Sequence, residues 1–466
     1  MIKIRTLDDV TLTPGARVFY RVDYNVPLDG ARITDATRIE ETLPTLRRLR
    51  DAGAAIVIAS HLGRPKGERK PKYSLEPIRE KLAELLGADV HWSNDCVGGD
   101  AEEKAKALKP GEVLLLENLR FYAGEEKNDR TFAEQLRKLA DYYVNDAFGA
   151  CHRAHASIDG LPRLFDRDRI AGGLLLAKEI EFLQKITNVS DRPFVAHLGG
   201  AKIAGKIEPL EALVKLADTV LVGGGMANTF LAARGVAMGG SLVDNDSMEI
   251  ARRITNVTLP VDVITGDDLE NPTTIETVEV SNGLAATQKA FDIGPKTIAA
   301  YDAALKNAKT IFWNGPMGVF EKEAFAKGTM AMAKSVAEAD AITVVGGGES
   351  VEAVNASGYA NRISHISTGG GTALEFISGK TLPGVEVLRT GCPRKSKSSS
   401  PSRTGTSSFA SFTTSVGSGS IPRRSRTTSS STAEGSCGRR DRCCACASSA
   451  SIRSRRTRVR CRSKAA

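Results

Sequence analysis

The sequence predicts an α/β protein built from two doubly wound parallel sheets joined by a helix, and three observations carry that reading. Its 466 residues exceed what one hydrophobic core usually organises, so two domains are expected. Its strand-like segments are apolar throughout instead of alternating, the pattern of strands covered on both faces. Helical patterns separate them, as the crossovers between parallel strands require. The architecture expected is Rossmann-like, with ligands in the crevice beyond the C-terminal ends of the strands.

In the first half the strand-like segments are residues 17–22, 54–59, 113–116 and 142–145, with helical patterns at 75–86 and 132–140. Residues 174–186 form one helical pattern, which Asn188-Val189-Ser190-Asp191-Arg192-Pro193 breaks before a new strand. In the second half the strand-like segments are 194–197, 219–222, 261–265, 310–313 and 342–345, with helical patterns at 208–216 and 350–357. The expected organisation is a first domain over 1–171, a linking helix over 172–187 and a second domain over 188–375. A closing segment, 376–390, returns to the first domain. After Arg389 the periodicity gives way to Ser, Arg, Thr and Gly, so 391–466 reads as a disordered basic tail.

Composition, at 41% hydrophobic and 26% charged residues, is that of a soluble globular chain. No apolar run approaches the ~18 residues of a membrane span. The start, MIKIRTLDDV, lacks the charged-then-apolar pattern of a signal peptide, so a cytoplasmic location is expected. The formal charge of +9 misleads until it is mapped. Beyond residue 390 lie 17 of the 64 Lys+Arg and 2 of the 55 Asp+Glu, which leaves 47 against 53, a net −6, before it. Only Cys96 and Cys151 precede residue 391, and two isolated thiols in a large core argue for a reducing compartment. The tail's Cys443-Cys444-Ala445-Cys446 run lacks the paired spacing of a zinc site.

Five segments in the first half place basic or polar groups at strand ends: Arg21-Val22-Asp23-Tyr24-Asn25, Thr37-Arg38, His61-Leu62-Gly63-Arg64-Pro65, Glu117-Asn118-Leu119-Arg120-Phe121 and Cys151-His152-Arg153-Ala154-His155. Any one arginine reads most simply as solvated charge, and His61 alone as a loop histidine. Arg38, Arg64, Arg120 and Arg153 together suit a ligand with both carboxylate and phosphate groups, because the guanidinium fork matches either one.

The second half repeats a different device. Glycine loops at 199–200, 223–225, 346–348 and 369–371 follow strands and precede helices. Such loops let backbone N–H groups and a helix N-terminus approach phosphates. One alone is an ordinary tight turn; four, with Lys202 and Lys206 beside the first, indicate a nucleotide site. Neither GxxxxGK[ST] nor the protein-kinase motif set is present.

In order along the chain, RVDYNVPL, ITDATRI, SHLGRPKG, KYSL, LLENLRFYAGEEKND, NDAFG and HRAHAS resemble the first-half signatures of the phosphoglycerate kinase family. In the second half LGGAK, GGGMANTF, DIGPKTI, WNGPMGVFE, a GGG followed by an acid, and STGGG followed by LEF resemble the rest. The resemblance runs from about residue 17 to about residue 388. It implies that Asp23, Asn25, Arg38, His61, Arg64, Arg120 and Arg153 hold 3-phosphoglycerate, with Arg38 also reaching the transferring phosphoryl group. It implies that Lys202 and Lys206 bind nucleotide phosphates, and that Asn314, Pro316 and Glu321 flank the nucleotide, Glu321 on the ribose. Gly346, Gly347, Gly348 and Ser350 would meet phosphates, and the amides of Gly369 and Gly370 the phosphoryl group in flight. Trp313 is expected in the core and Lys334 in solvent.

The implied reaction is ATP + 3-phosphoglycerate ⇌ ADP + 1,3-bisphosphoglycerate, with Mg2+ as cofactor, carried out by a monomer in glycolysis or its reversal. Such a transfer needs in-line positioning and charge neutralisation, here by Lys202, Arg38, Gly369 and Gly370 after a hinge closure. No general base is needed, because the attacking carboxylate is already ionised. Two positions depart from the family pattern: Glu349 stands where Asp is usual, and Gly205 where Asp usually precedes the second lysine. Glu349 is the expected protein carboxylate on nucleotide-bound magnesium, whose octahedral demands make one methylene matter. The carboxylate missing at 205 would leave it room.

Two other readings use the same residues. Loss of catalysis through Glu349 and Gly205 would leave a nucleotide-binding pseudoenzyme. The basic tail could bind nucleic acid through phosphates, but it holds one aromatic pair, Phe409 and Phe412, and no recognisable module. No nucleic-acid or membrane partner is therefore expected. Family members typically end soon after a segment like the LPGVEVL at 382–388. The remainder has the composition of a GC-rich gene read out of frame, which is the reading favoured for it.

Overall fold

The central strands of the two parallel sheets form where the chain is apolar at consecutive positions. The computed structural model describes residues 2–391, so all of the expected tail except Gly391 falls outside the described residues. The first half holds β1 (Arg17–Arg21), a hairpin of β2 (Leu28–Asp29) and β3 (Arg32–Ile33), β4 (Ala55–Ala59), β5 (Val90–Trp92), β6 (Val113–Leu115), β7 (Tyr142–Asn145) and β8 (Ile170–Gly172). Six of these make one sheet in the order β5-β6-β4-β1-β7-β8, with every pairing parallel. β4 is buried at all five positions, as a strand covered on both faces should be.

The second half holds β9 (Phe194–Leu198), β10 (Thr219–Val222), β11 (Asp262–Gly266), β12 (Ile275–Glu279), β13 (Lys289–Ile293), β14 (Thr310–Asn314), β15 (Ile342–Val345) and β16 (His365–Ile366). A second parallel sheet runs β10-β9-β14-β15-β16. Here one expectation is corrected. The segment at 261–265 is a strand but not part of the parallel sheet: β11 is the centre of a three-stranded antiparallel sheet, β12-β11-β13. Only residues 267–274 separate β11 from β12, too few for the crossover a parallel neighbour needs.

The helix Leu174–Thr187 lies between the halves in sequence and buries Leu175, Leu176, Glu179, Ile180, Leu183 and Ile186 at three- and four-residue spacings. Its first turn is held by Asp146 at the end of β7, which accepts from the Leu176 amide at 2.9 Å and from the Tyr20 hydroxyl at 2.7 Å. Further along, Glu179 pairs with His365 at 2.8 Å and accepts from the Thr368 amide at 2.7 Å. The helix is thus bonded to the C-terminal ends of strands from both sheets. At the other extreme, Arg5 donates to the Leu388 carbonyl and Thr390 to that of Lys3, each at 2.8 Å.

β9 carries one costly group. His197 is fully buried, stacks on Trp313 at 5.3 Å between ring centroids, and among the described residues neither of its nitrogens has a hydrogen-bond partner. Burial pushes its pKa down to about 3. Because the unfolded chain takes up this proton near 6.5, the contribution is stability present above pH 6.5 and lost as pH falls toward 3. Between pH 6.5 and 4 that loss is ~3 kcal/mol. The unpaired polar atoms cost ~1–3 kcal/mol even at neutral pH. His197→Phe is therefore expected to melt higher than the parent at pH 7 and to lose less stability on acidification to pH 4. Equal slopes of stability against pH in the two proteins would show that His197 is not the group responsible.

Candidate active site

The ends of β1, β4, β6 and β7 deliver the polar residues to one place. Asp23 and Asn25 leave β1, His61 and Arg64 follow β4, and Arg120 sits in the 3-10 turn Leu119–Phe121 beyond β6. Arg153 follows the turn Phe148–Ala150 beyond β7, and Arg38 lies on the short helix Thr37–Glu40. All seven line a single cavity of about 250 Å³ that also takes in Gly369 and Gly370.

The cavity is cationic. Asp23 faces Arg38 at 3.4 Å and His61 at 3.8 Å, and Glu126 lies 3.5 Å from Arg120. Four guanidinium groups against these two carboxylates leave charge for an anion of more than one unit. The backbone sets their aim: Arg38 donates to the Asn25 carbonyl at 3.0 Å, Arg120 to that of Gly63 at 2.8 Å, and the Gly63 amide to the Asn25 side chain at 2.8 Å. Burial, then Arg21 and Arg120, hold the His61 pKa well below its usual range. His61 is therefore neutral at pH 7, a hydrogen-bonding group without charge.

Beneath the cavity lies a network that the sequence did not reveal. Arg21 is fully buried and donates to the Ser157 hydroxyl at 2.7 Å and to the Val22 carbonyl. Its other terminal nitrogen lies 3.3 Å from His61 and 3.8 Å from Glu125. Glu125, also fully buried, accepts from the Ser157 hydroxyl at 2.6 Å and its amide at 2.9 Å. His155 is 4.0 Å from Glu125, and burial, followed by Arg120 and Arg21, pushes its pKa down to about 3. The available signal was an arginine at the end of the apolar run RVFYR, a position where a buried charge demands a counter-charge.

The glycine loops of the second half meet one another and this cavity. A Cβ at Gly369 would stand 2.7 Å from the Gly149 Cα, so the loop can seat against that backbone only because it has no side chain. Asn314 donates to the Gly346 carbonyl at 2.6 Å, the Gly315 amide to Ser350 at 2.5 Å and the Gly200 amide to the Pro316 carbonyl at 3.1 Å. Lys206 donates to the Gly199 carbonyl at 3.0 Å; burial lowers its pKa, opposed by Glu349. A Cβ at Gly200 would be 3.3 Å from the Lys206 ammonium and 3.9 Å from a Glu349 oxygen, so both face one patch. Among the described residues, a Cβ at Gly205 would meet no atom within 4 Å.

A second cavity, of about 500 Å³, adjoins the first and is lined by Gly347, Gly348, Thr368 and Gly370 on one side and by Asn25, Asp35 and Arg38 on the other. Among the described residues Arg38 is the one charged side chain that lines both. Lys202 and Glu321 are exposed and line neither cavity. Trp313 is fully buried and donates to the Gly315 carbonyl at 2.8 Å, and Lys334 is exposed, both as expected.

A family model described as phosphoglycerate kinase matches residues 7–380. A phosphoglycerate kinase of Moorella thermoacetica is 52% identical over 391 residues, covering 82% of this chain and 98% of that one. That of Geobacter metallireducens is 48% identical over 396 residues, covering 83% and 98%. Among solved structures, the phosphoglycerate kinase of Coxiella burnetii superposes with a TM-score of 0.74 at 36% identity, covering 83% of this chain and 99% of its own. That of Pyrococcus horikoshii OT3 gives a TM-score of 0.74 at 35% identity, covering 83% and 98%.

Proposed function

The chain belongs to the phosphoglycerate kinase family, and on that premise we propose that its arginine-lined cavity holds 3-phosphoglycerate while its glycine loops hold the adenine nucleotide. The activity is reversible phosphoryl transfer between ATP and the substrate carboxylate, giving ADP and 1,3-bisphosphoglycerate, a glycolytic step. One observation carries the assignment of residues: Asp23, Asn25, Arg38, His61, Arg64, Arg120 and Arg153 line one cavity with Gly369 and Gly370.

The arginines fix the carboxylate and phosphate of the acid, and the ionised carboxylate attacks without a base. Arg38, between the two cavities, and the Gly369 and Gly370 amides face the phosphoryl group, where fixed donors stabilise spreading charge. Lys206 and Lys202 hold nucleotide phosphates, with Asn314, Pro316, Gly346, Gly347, Gly348 and Ser350 shaping the bed and Glu321 on the ribose. The two halves, 1–171 and 188–375, close about the linking helix and exclude water. A cytoplasmic monomer is the accompanying reading, its reducing compartment supported by the buried free thiols of Cys96 and Cys151.

Magnesium fits as a guest of the nucleotide. Among the described residues no three His, Cys, Asp or Glu side chains gather into a cage, and Glu349 sits in the first turn of the helix Gly348–Ser357 close to Lys206. One carboxylate plus substrate phosphates is a usual magnesium arrangement, and the ion supplies charge neutralisation there. Glu349→Ala is expected to weaken Mg·ADP binding about tenfold or more and to leave metal-free ADP binding nearly unchanged. Equal affinities of the variant and the parent for Mg·ADP, by calorimetry, would remove Glu349 from the metal site.

The experiment that tests the whole reading is a coupled assay of ADP formation with 3-phosphoglycerate, run beside nucleotide-binding titrations. A pseudoenzyme would bind nucleotide and release no ADP.

A further inference from the structure

Three hydrogen bonds join the acid cavity to the helix Gly370–Ile377. Arg153 Nε lies 2.9 Å from His152 Nε2, His152 Nδ1 lies 2.8 Å from the Thr372 hydroxyl, and that hydroxyl donates to the Gly149 carbonyl at 2.8 Å. The chain fixes every proton. Arg153 Nε can only donate, so His152 Nε2 must accept. With Nε2 accepting, the neutral ring carries its proton on Nδ1, which donates to the Thr372 oxygen and leaves the Thr372 hydrogen for Gly149. His152 is therefore neutral, with its proton on Nδ1.

We propose that His152, in this tautomer, is a positioning residue that couples the seating of Arg153 on the acid substrate to the docking of the Gly369–Gly370 loop through Thr372. This rests on the kinase reading above. Arg153 is exposed, and its long side chain has many rotamers; an acceptor on Nε leaves both terminal nitrogens to face a bound anion. Thr372 stands two residues beyond Gly370 on the same helix, so a shift in His152 reaches the loop amides directly. Burial holds the His152 pKa below its usual range, with Arg153 acting in the same direction against Glu375, a hydrogen bond with the Gly149 backbone and Asp23. A protonated ring would point a donor at the Arg153 donor and break the chain.

Two substitutions separate the arms. Thr372→Val keeps the shape and removes the hydroxyl; His152→Gln leaves an acceptor within reach of Arg153 and loses Thr372. Both are expected to lower kcat about five- to tenfold, the worth of one or two hydrogen bonds, with KM for 3-phosphoglycerate within about twofold of the parent. The double variant should be no worse than either single one, and Thr372→Ser should restore kcat. His152→Asn, which keeps the donor to Thr372 and loses the acceptor, should instead raise that KM. Independently of turnover, 15N NMR of the six histidines, with His152→Gln as the assignment control, should show the Nδ1-protonated tautomer. An Nε2-protonated ring overturns the proposal, as does a catalytically active parent that turns over 3-phosphoglycerate no faster than Thr372→Val does. A parent that shows the Nδ1 tautomer but makes no ADP contradicts the kinase reading and leaves the hydrogen-bonded coupling standing.

Discussion

Arg38→Ala is expected to lower kcat roughly 10²–10³-fold while leaving the protein folded. The geometry separates the two effects. Among the described residues Arg38 is the one charged side chain common to the acid cavity and the adjoining cavity at the glycine loops. It is held over that junction by the Asn25 carbonyl at 3.0 Å and by Asp23 at 3.4 Å. A cation in that position gains most when negative charge spreads over the group in transfer, so its loss falls on kcat more than on KM. For stability the same side chain counts little. It is 34% exposed, and an ion pair that far in solvent contributes roughly 0–1 kcal/mol. Arg38→Lys should recover part of the rate, because it restores the charge without the planar fork. A kcat within a few fold of the parent in Arg38→Ala, with substrate saturating, would falsify the placement of this residue at the transferring group.

The sequence made some of this legible and hid the rest for identifiable reasons. β1, β4, β9 and β14 were readable because strands buried on both faces are apolar at nearly every position. β5, β8 and β16 were not, being two or three residues long and supported by neighbours distant in sequence. The segment at β11 had the right propensity and the wrong neighbours: pairing direction follows from connection length, which periodicity does not report. The arginines of the cavity stood out because each follows a strand or opens a helix. Glu125 did not, since an acid in AGEEKND reads as solvated until Arg21 and Ser157 are seen around it. His152 was hidden because its partner Thr372 lies 220 residues away. Lys202 and Glu321 line neither of the two cavities described, and their proposed roles rest on the resemblance.

Glu125→Ala is the substitution expected to cost the most stability, ~3–5 kcal/mol, because it breaks a buried ion pair from one side. Arg21 and Glu125 are both fully buried, 3.8 Å apart, and bridged by the Ser157 hydroxyl. Without the carboxylate, Arg21 keeps its charge next to Arg120 and His61 with no anion beneath them, and the Ser157 amide loses its acceptor. Like charges then press on the floor of the acid cavity, so KM for 3-phosphoglycerate should rise along with the fall in melting temperature. Glu125→Gln keeps an oxygen for the Ser157 amide and should lose less of both. The decisive comparison is the pair Glu125→Leu with Arg21→Met, which removes both charges and fills the space with apolar atoms. If the cost is an uncompensated buried charge, the double variant recovers much of the stability lost by Glu125→Leu alone, and the two changes are strongly non-additive. It should not recover substrate affinity, because His61 loses the Arg21 contact at 3.3 Å that helps keep it neutral and aimed. Additive losses of stability in the double variant would mean that Glu125 acts by packing and not as the counter-charge of Arg21.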